Sequence, residues 1–228
     1  MKKLFTLSTI LFVISMAIYL TGCVNYEQKT KLENDGSGTM KIHYWTKASN
    51  ISSGEVQGFG FTEEKVKANY GSGNTEISNI KIEEKVVEGD TAKNKHVTFD
   101  LKFKDLNKLS EVKGFKKTKS SWKEGKEGMD FEFVLLSDTS SAKTMGASDY
   151  KLNYEFEFPS EVISTNGNKS GTSKVEWFKT VGDLKEDIKM TASVKSEKKK
   201  CGLFGLELPI IIVVGLSFFY VTRKKFKK

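Results

Sequence analysis

The sequence predicts an α+β protein, with a mostly antiparallel sheet and two short helices, followed by a C-terminal transmembrane helix. Several segments alternate apolar and polar residues with a period of two, which is typical of antiparallel strands with one wet face. Only two segments have the cap and apolar spacing of a helix. One apolar run near the C-terminus is long enough to cross a membrane.

Residues 1–22 have the features of a bacterial lipoprotein signal peptide. Lys2 and Lys3 precede an apolar run that extends from Leu4 to Tyr19. Leu20, Thr21, Gly22 and Cys23 then match the lipobox, in which the small residues give the signal peptidase access to the cleaved bond. This resemblance implies that Cys23 receives a diacyl lipid, such as one carrying palmitate, and becomes the first residue of the mature protein. The alternative is an ordinary secretory signal with an unrelated cysteine near its end.

The C-terminus is the second predicted membrane attachment. Residues 203–221 are apolar apart from Glu207, and a helix of this length nearly spans the hydrocarbon core. The basic tail at 222–228 is expected on the cytoplasmic side, which leaves the middle of the chain outside. Alternatively, the segment beginning at Cys201 resembles a C-terminal sorting signal, and a membrane protease would then cleave the chain there.

The extracytoplasmic domain is expected to cover residues 23–194, with a basic linker at 195–202. A loop rich in Ser, Thr and Gly divides it into two subdomains, 23–137 and 148–194. The turn at Asn34–Gly38 predicts a hairpin. Strands are predicted at 24–33, 39–47, 80–87, 96–104, 115–122, 129–136, 150–158, 173–179 and 188–194.

Two helices are predicted between these strands. Thr62 caps the first, which continues to about Tyr70 and has glutamates in its first turn. Asp105 caps the second, which continues to Val112 with its leucines on the same face and ends near Gly114.

The net charge reflects membrane topology. The chain has 37 Lys and Arg against 29 Asp and Glu, a formal charge of +8. Much of this excess lies in the signal peptide, the linker and the C-terminal tail, and the predicted folded body is close to neutral. The charge therefore gives no reason to expect nucleic-acid binding.

No residue pattern indicates an enzyme. The chain has two histidines, His43 and His96, and two cysteines, and none of them has the spacing of a catalytic or metal-binding motif. We therefore expect a non-catalytic protein without a metal or cofactor.

One basic segment is a candidate patch for an anionic ligand. Its residues are Lys113, Lys116, Lys117, Lys119 and Trp122, which combine positive charge with an aromatic ring. The alternative is an edge hairpin whose lysines prevent aggregation.

Several features together resemble a known family. The lipobox is followed by Tyr26 and a Gly-rich hairpin, and later come Phe158-Pro159, a Thr-Asn-Gly turn at 165–167 and Lys174-Val175-Glu176-Trp177. These features are similar to LppM-type bacterial lipoproteins. The resemblance implies an envelope module on the cell membrane that binds a lipid, glycan or protein. The alternative is an assembly partner that acts through its C-terminal helix.

Overall fold

The computed structural model describes residues 24–86, 92–143 and 150–196. The described strands are β1 Asn25–Leu32, β2 Gly38–Lys47, β3 Glu55–Val56, β4 Phe59–Gly60, β5 Thr75–Val86, β6 Lys93–Phe103, β7 Thr118–Glu124, β8 Gly128–Leu135, β9 Lys151–Glu157, β10 Val162–Thr165, β11 Asn168–Lys169, β12 Lys174–Thr180 and β13 Ile188–Lys195. The α-helices are α1 Glu63–Tyr70 and α2 Thr139–Ala142, and the 3₁₀ helices are Ala48–Asn50, Leu106–Glu111, Lys113–Phe115 and Val181–Lys185.

The predicted α+β class is wrong, because strands dominate the described residues. Among them only α1 is an α-helix of two turns. Its prediction is confirmed, since Thr62 Oγ1 accepts a hydrogen bond from Lys65 N at 3.4 Å. The predicted C-terminal helix at 203–221 lies outside the described residues. Within the described ranges no helix has the length and apolar character needed to cross a membrane.

The second predicted helix is a 3₁₀ helix in the structure. Asp105 caps it as expected, with its Oδ1 accepting from Asn107 N at 2.9 Å. The buried residues that follow are spaced by three, at Leu106, Leu109, Val112 and Phe115. A 3₁₀ helix has three residues per turn, so this spacing keeps one face against the core, whereas an α-helix would rotate it away.

Most of the strands form two sheets that share one core. The large sheet has the order β11-β12-β9-β1-β2-β6-β5, and the small sheet has the order β10-β13-β8-β7. Phe131 on β8 lies 4.6 Å from Phe156 on β9, and Phe133 lies 5.8 Å from Tyr154, measured between ring centroids. The inner faces of β8 and β9 therefore pack directly against each other.

A parallel pair joins the two halves of the chain. β1 pairs in parallel with β9, with Tyr26 opposite Leu152 and Thr30 opposite Phe156. Strands from both predicted subdomains consequently lie in the same large sheet, and the compact unit to which they belong ends at Ser196. The other strand pairs among the described residues are antiparallel, including the predicted β1–β2 hairpin.

Candidate functional site

A cavity of about 460 Å³ lies between the two sheets. This volume is within the usual range of small-molecule sites. The large sheet contributes Tyr26 and Leu152, and the small sheet contributes Phe133 and Leu135. Alternation places these side chains on the inner faces of β1, β9 and β8, so the cavity is a gap in the core where the sheets separate.

The lining of the cavity includes a buried polar side chain, that of Gln28 on β1. Gln28 is 1% exposed on β1, and its Oε1 accepts a hydrogen bond from the Tyr26 hydroxyl at 2.8 Å. Gln28 Nε2 in turn donates to Thr30 Oγ1 at 2.9 Å. The buried amide is thus satisfied on both sides, which keeps its orientation fixed.

Two further tyrosines, Tyr70 and Tyr154, line the same cavity. Burial raises the pKa of both hydroxyls well above the ordinary tyrosine value, and the neighbouring Tyr70 adds to this for Tyr154. Both hydroxyls therefore stay protonated at physiological pH and can donate a hydrogen bond. The cavity can accept an apolar group while offering donors to one polar group on the same molecule.

The opening of the cavity is marked by lining residues that are partly or fully exposed. Lys117 Nζ and Asp138 Oδ2 form an ion pair at 2.5 Å there, and Leu136 and Leu184 are half-buried beside them. Val24, the first described residue, also lines the cavity. The cavity is therefore adjacent to the start of β1.

The structure separates the residues of the predicted anionic-ligand patch. Trp122 is only 5% exposed, and its indole Nε1 donates to Asn34 O at 3.1 Å, so the ring belongs to the core. Lys113, Lys116 and Lys119 are exposed, whereas Lys117 is paired with Asp138. The alternation of β7 explains why the Trp122 ring is buried, since Trp122 faces the same inward side as Thr118.

The predicted processing residues cannot be placed. Leu20, Thr21, Gly22, Cys23 and Cys201 lie outside the described residues. Among the residues that are described, no cluster of three or more His, Cys, Asp or Glu side chains is arranged to hold a metal ion.

A histidine pair that was not predicted from the sequence lies on the outer face of the large sheet. His43 Nδ1 donates to Glu27 Oε2 at 3.2 Å, and its Nε2 lies 3.0 Å from His96 Nδ1. In the neutral pair, His96 Nδ1–H is the donor to His43. His96 Nε2 is buried and has no hydrogen-bond partner among the described residues, and Trp45 stacks on both rings.

This pair predicts an acid-sensitive fold. Burial and the neighbouring His43 lower the pKa of His96, with a smaller contribution from Lys85 and an opposing one from Glu83. Between this lowered pKa and the ordinary value near 6.5, the unfolded chain binds more protons, so stability falls as the pH falls through that window. Denaturant unfolding at pH 7.5 and pH 5 measures this loss. His96→Gln is expected to have a shallower pH dependence, and an equally steep one would contradict the assignment.

The fold and the cavity define a two-sheet β protein with an internal ligand-sized space. The chain belongs to the LppM domain family, whose model matches residues 46–196, and the predicted family resemblance is confirmed. An NMR structure of the folded domain of LppM from Mycobacterium tuberculosis is similar, with 17% sequence identity and a TM-score of 0.45. The match covers 77% of this chain and 91% of that domain. No curated protein matches the chain.

Proposed function

We propose that this protein is a membrane-associated extracytoplasmic lipoprotein, and that its domain binds the apolar part of an amphiphilic ligand such as a lipid, without catalysis. The cavity between the sheets is the observation that carries this function. Its walls are mainly apolar and aromatic and contain a small number of polar side chains, which is the usual composition of a small-molecule site. Membership of the LppM family supports the envelope location.

A lipid fits this cavity better than a glycan does. Sugar sites need many hydrogen-bonding groups around the ligand, whereas most of the residues that line this cavity are apolar or aromatic. A separate groove of about 530 Å³ on the small sheet is lined by hydroxyl and charged side chains, including Ser164, Thr165 and Asp130. That groove is open to solvent. Phe131 is the one aromatic residue among those that line it, and its ring is buried rather than exposed to a ligand.

The function is tested by filling the cavity. Leu152 is 7% exposed and faces the cavity, so Leu152→Trp is expected to weaken binding of a pyrene-labelled phospholipid to the delipidated full chain at least about tenfold. Leu136→Trp, at the half-buried opening, should act in the same direction with less effect on the core.

Ile163→Trp is the matched control, because Ile163 is 43% exposed and does not line the cavity. Unfolding midpoints of all three variants show whether each remains folded. Unchanged lipid binding by folded Leu136→Trp and Leu152→Trp proteins would refute the proposed function.

A further inference from the structure

The two ends of the large sheet differ in charge. The end where β1 begins also contains the starts of β6 and β9 and the ends of β2, β5 and β12. At this end, the last or first three residues of each of the six strands together carry six lysines and two glutamates. The residues of this basic end are Lys47, Lys85, Lys93, Lys95, Lys151, Lys179, Glu27 and Glu84.

The opposite end of the same strands has no such excess. Its terminal triplets carry three lysines and four glutamates: Lys31, Lys102, Lys174, Glu76, Glu155, Glu157 and Glu176. The charge difference is therefore a property of one end rather than of the whole sheet.

Most lysines of the basic end are available to a partner. Lys85 is paired with Glu83, but the other five form no ion pair with another described residue. Nearby acidic groups have local partners, because Asp183 accepts from Thr180 N and Asp187 accepts from Ser137 N, each at 2.8 Å. Glu186 is an exposed carboxylate on the adjoining segment.

The basic end also exposes apolar side chains. Phe178 is 59% exposed near the end of β12, and Val86 is 62% exposed at the last position of β5. These are two of the three large hydrophobic residues that are exposed in the described part of the chain. Lysines around exposed apolar groups are the combination that binds the interface of an anionic bilayer.

The position at which β1 begins indicates which partner the basic end binds. β1 begins at Asn25, two residues after the predicted lipid attachment at Cys23. Two extended residues span only about 7 Å, so a lipid on Cys23 would hold this end at the bilayer surface. We propose that the basic end docks on the anionic phospholipid headgroups of the membrane to which the chain is tethered.

Docking of this kind has a geometric consequence for the cavity. The strands of the large sheet point toward the bilayer, and the cavity beside Val24 opens near the headgroups. Docking involves the outer surface of the domain and does not require that the cavity contains a ligand.

A tryptophan reporter tests the docking. The full-length lipidated chain carrying Phe178→Trp is placed in nanodiscs of brominated phosphatidylcholine, with or without phosphatidylglycerol. We expect quenching of the reporter in the anionic discs and a loss of that quenching at high salt, because salt screens exposed charges. The signal of a reporter is the quenching in excess of that of the unsubstituted chain, which has three tryptophans of its own. Ile163→Trp, on β10 of the small sheet and outside the basic end, is the matched reporter and is expected to show no such excess.

Charge reversal provides the second comparison. Each lysine near an anionic surface contributes roughly a fivefold change in the docking equilibrium, so Lys47→Glu, Lys93→Glu and Lys151→Glu together should reduce docking at least about tenfold. The control reverses the exposed Lys31, Lys102 and Lys123, away from the basic end, and should retain quenching. All substituted positions are on the surface, and unfolding midpoints verify that the variants are folded.

Three results would overturn the proposal. They are equal quenching in neutral and anionic discs, equal quenching of the two reporters, and binding of soluble poly(glycerol phosphate) through the same lysines without docking on discs. The last result would assign the surface to an anionic polymer instead. Lipid binding by the cavity is measured separately, so failure of docking and failure of the proposed function are distinguishable.

Discussion

Replacing Phe156 with alanine is expected to lower the free energy of unfolding by about 3–5 kcal/mol. Phe156 is fully buried on β9, and its ring centroid lies 4.6 Å from that of Phe131, 5.6 Å from Phe133 and 6.0 Å from Trp177. The substitution leaves a cavity where the two sheets meet and removes aromatic contacts to both of them. Denaturant unfolding of the full chain in mild detergent, followed by far-ultraviolet circular dichroism, measures the change.

Phe178→Ala is the control for this substitution. The residue type is the same, but Phe178 is 59% exposed on the outer face of β12. Its loss is expected to change the unfolding free energy by no more than about 0.5 kcal/mol. If both variants lose similar amounts, the sheets are not joined through Phe156.

Gly38→Ala is expected to destabilise the fold by about 2–4 kcal/mol. A Cβ at Gly38 would lie 2.3 Å from the Lys31 carbonyl oxygen and 2.6 Å from Phe103 Cζ. Both neighbours are fixed, the first by the β1–β2 pairing and the second by complete burial. The strands must therefore move apart to accept one methyl group, which an unfolding titration detects as a lower midpoint.

Gly73→Ala is the matched control, and its unfolding free energy is measured by the same titration. A Cβ at Gly73 has no neighbour within 4 Å, and its backbone does not need the left-handed region. This variant is expected to be neutral or slightly stabilising, because alanine restricts the unfolded chain. A large loss in both variants would point to the unfolded state rather than to the clash at Gly38.

Strand positions could be predicted where one face is buried and the other is wet. In β2, Met40, Ile42 and Tyr44 are buried and alternate with polar residues, and the strand lies within one residue of the predicted bounds. The Asn34–Gly38 turn was predictable for the same local reason, because its residues favour tight turns. The short hairpin of β3 and β4 lacked such alternation and was missed.

The partners of the strands could not be predicted in the same way. Alternation indicates which side chains of β1 face inward, but it does not encode that β1 pairs in parallel with β9. The cavity was missed for this reason, since it forms only when distant segments bring Tyr26, Tyr70 and Tyr154 together. The histidine pair likewise depends on the alignment of β2 with β6.

Other errors had a signal in the sequence. The spacing of three among Leu106, Leu109 and Val112 indicates a 3₁₀ helix more directly than an α-helix. Trp122 has the parity of an inward-facing strand residue, although the surrounding lysines suggested an exposed ring. In both segments the spacing of the apolar residues indicates the structure that is observed.

The parallel pairing of β1 and β9 also determines the order in which the domain can fold. Lys151 N donates a hydrogen bond to the Asn25 side chain across a separation of 126 residues. A chain emerging from its N-terminus can form the β1–β2 hairpin early, but one edge of β1 has no partner until β9 has been released. Such long-range pairing is slow and leaves an exposed edge open to aggregation. The large sheet is therefore completed late, after nearly the whole of the described domain has become available to fold.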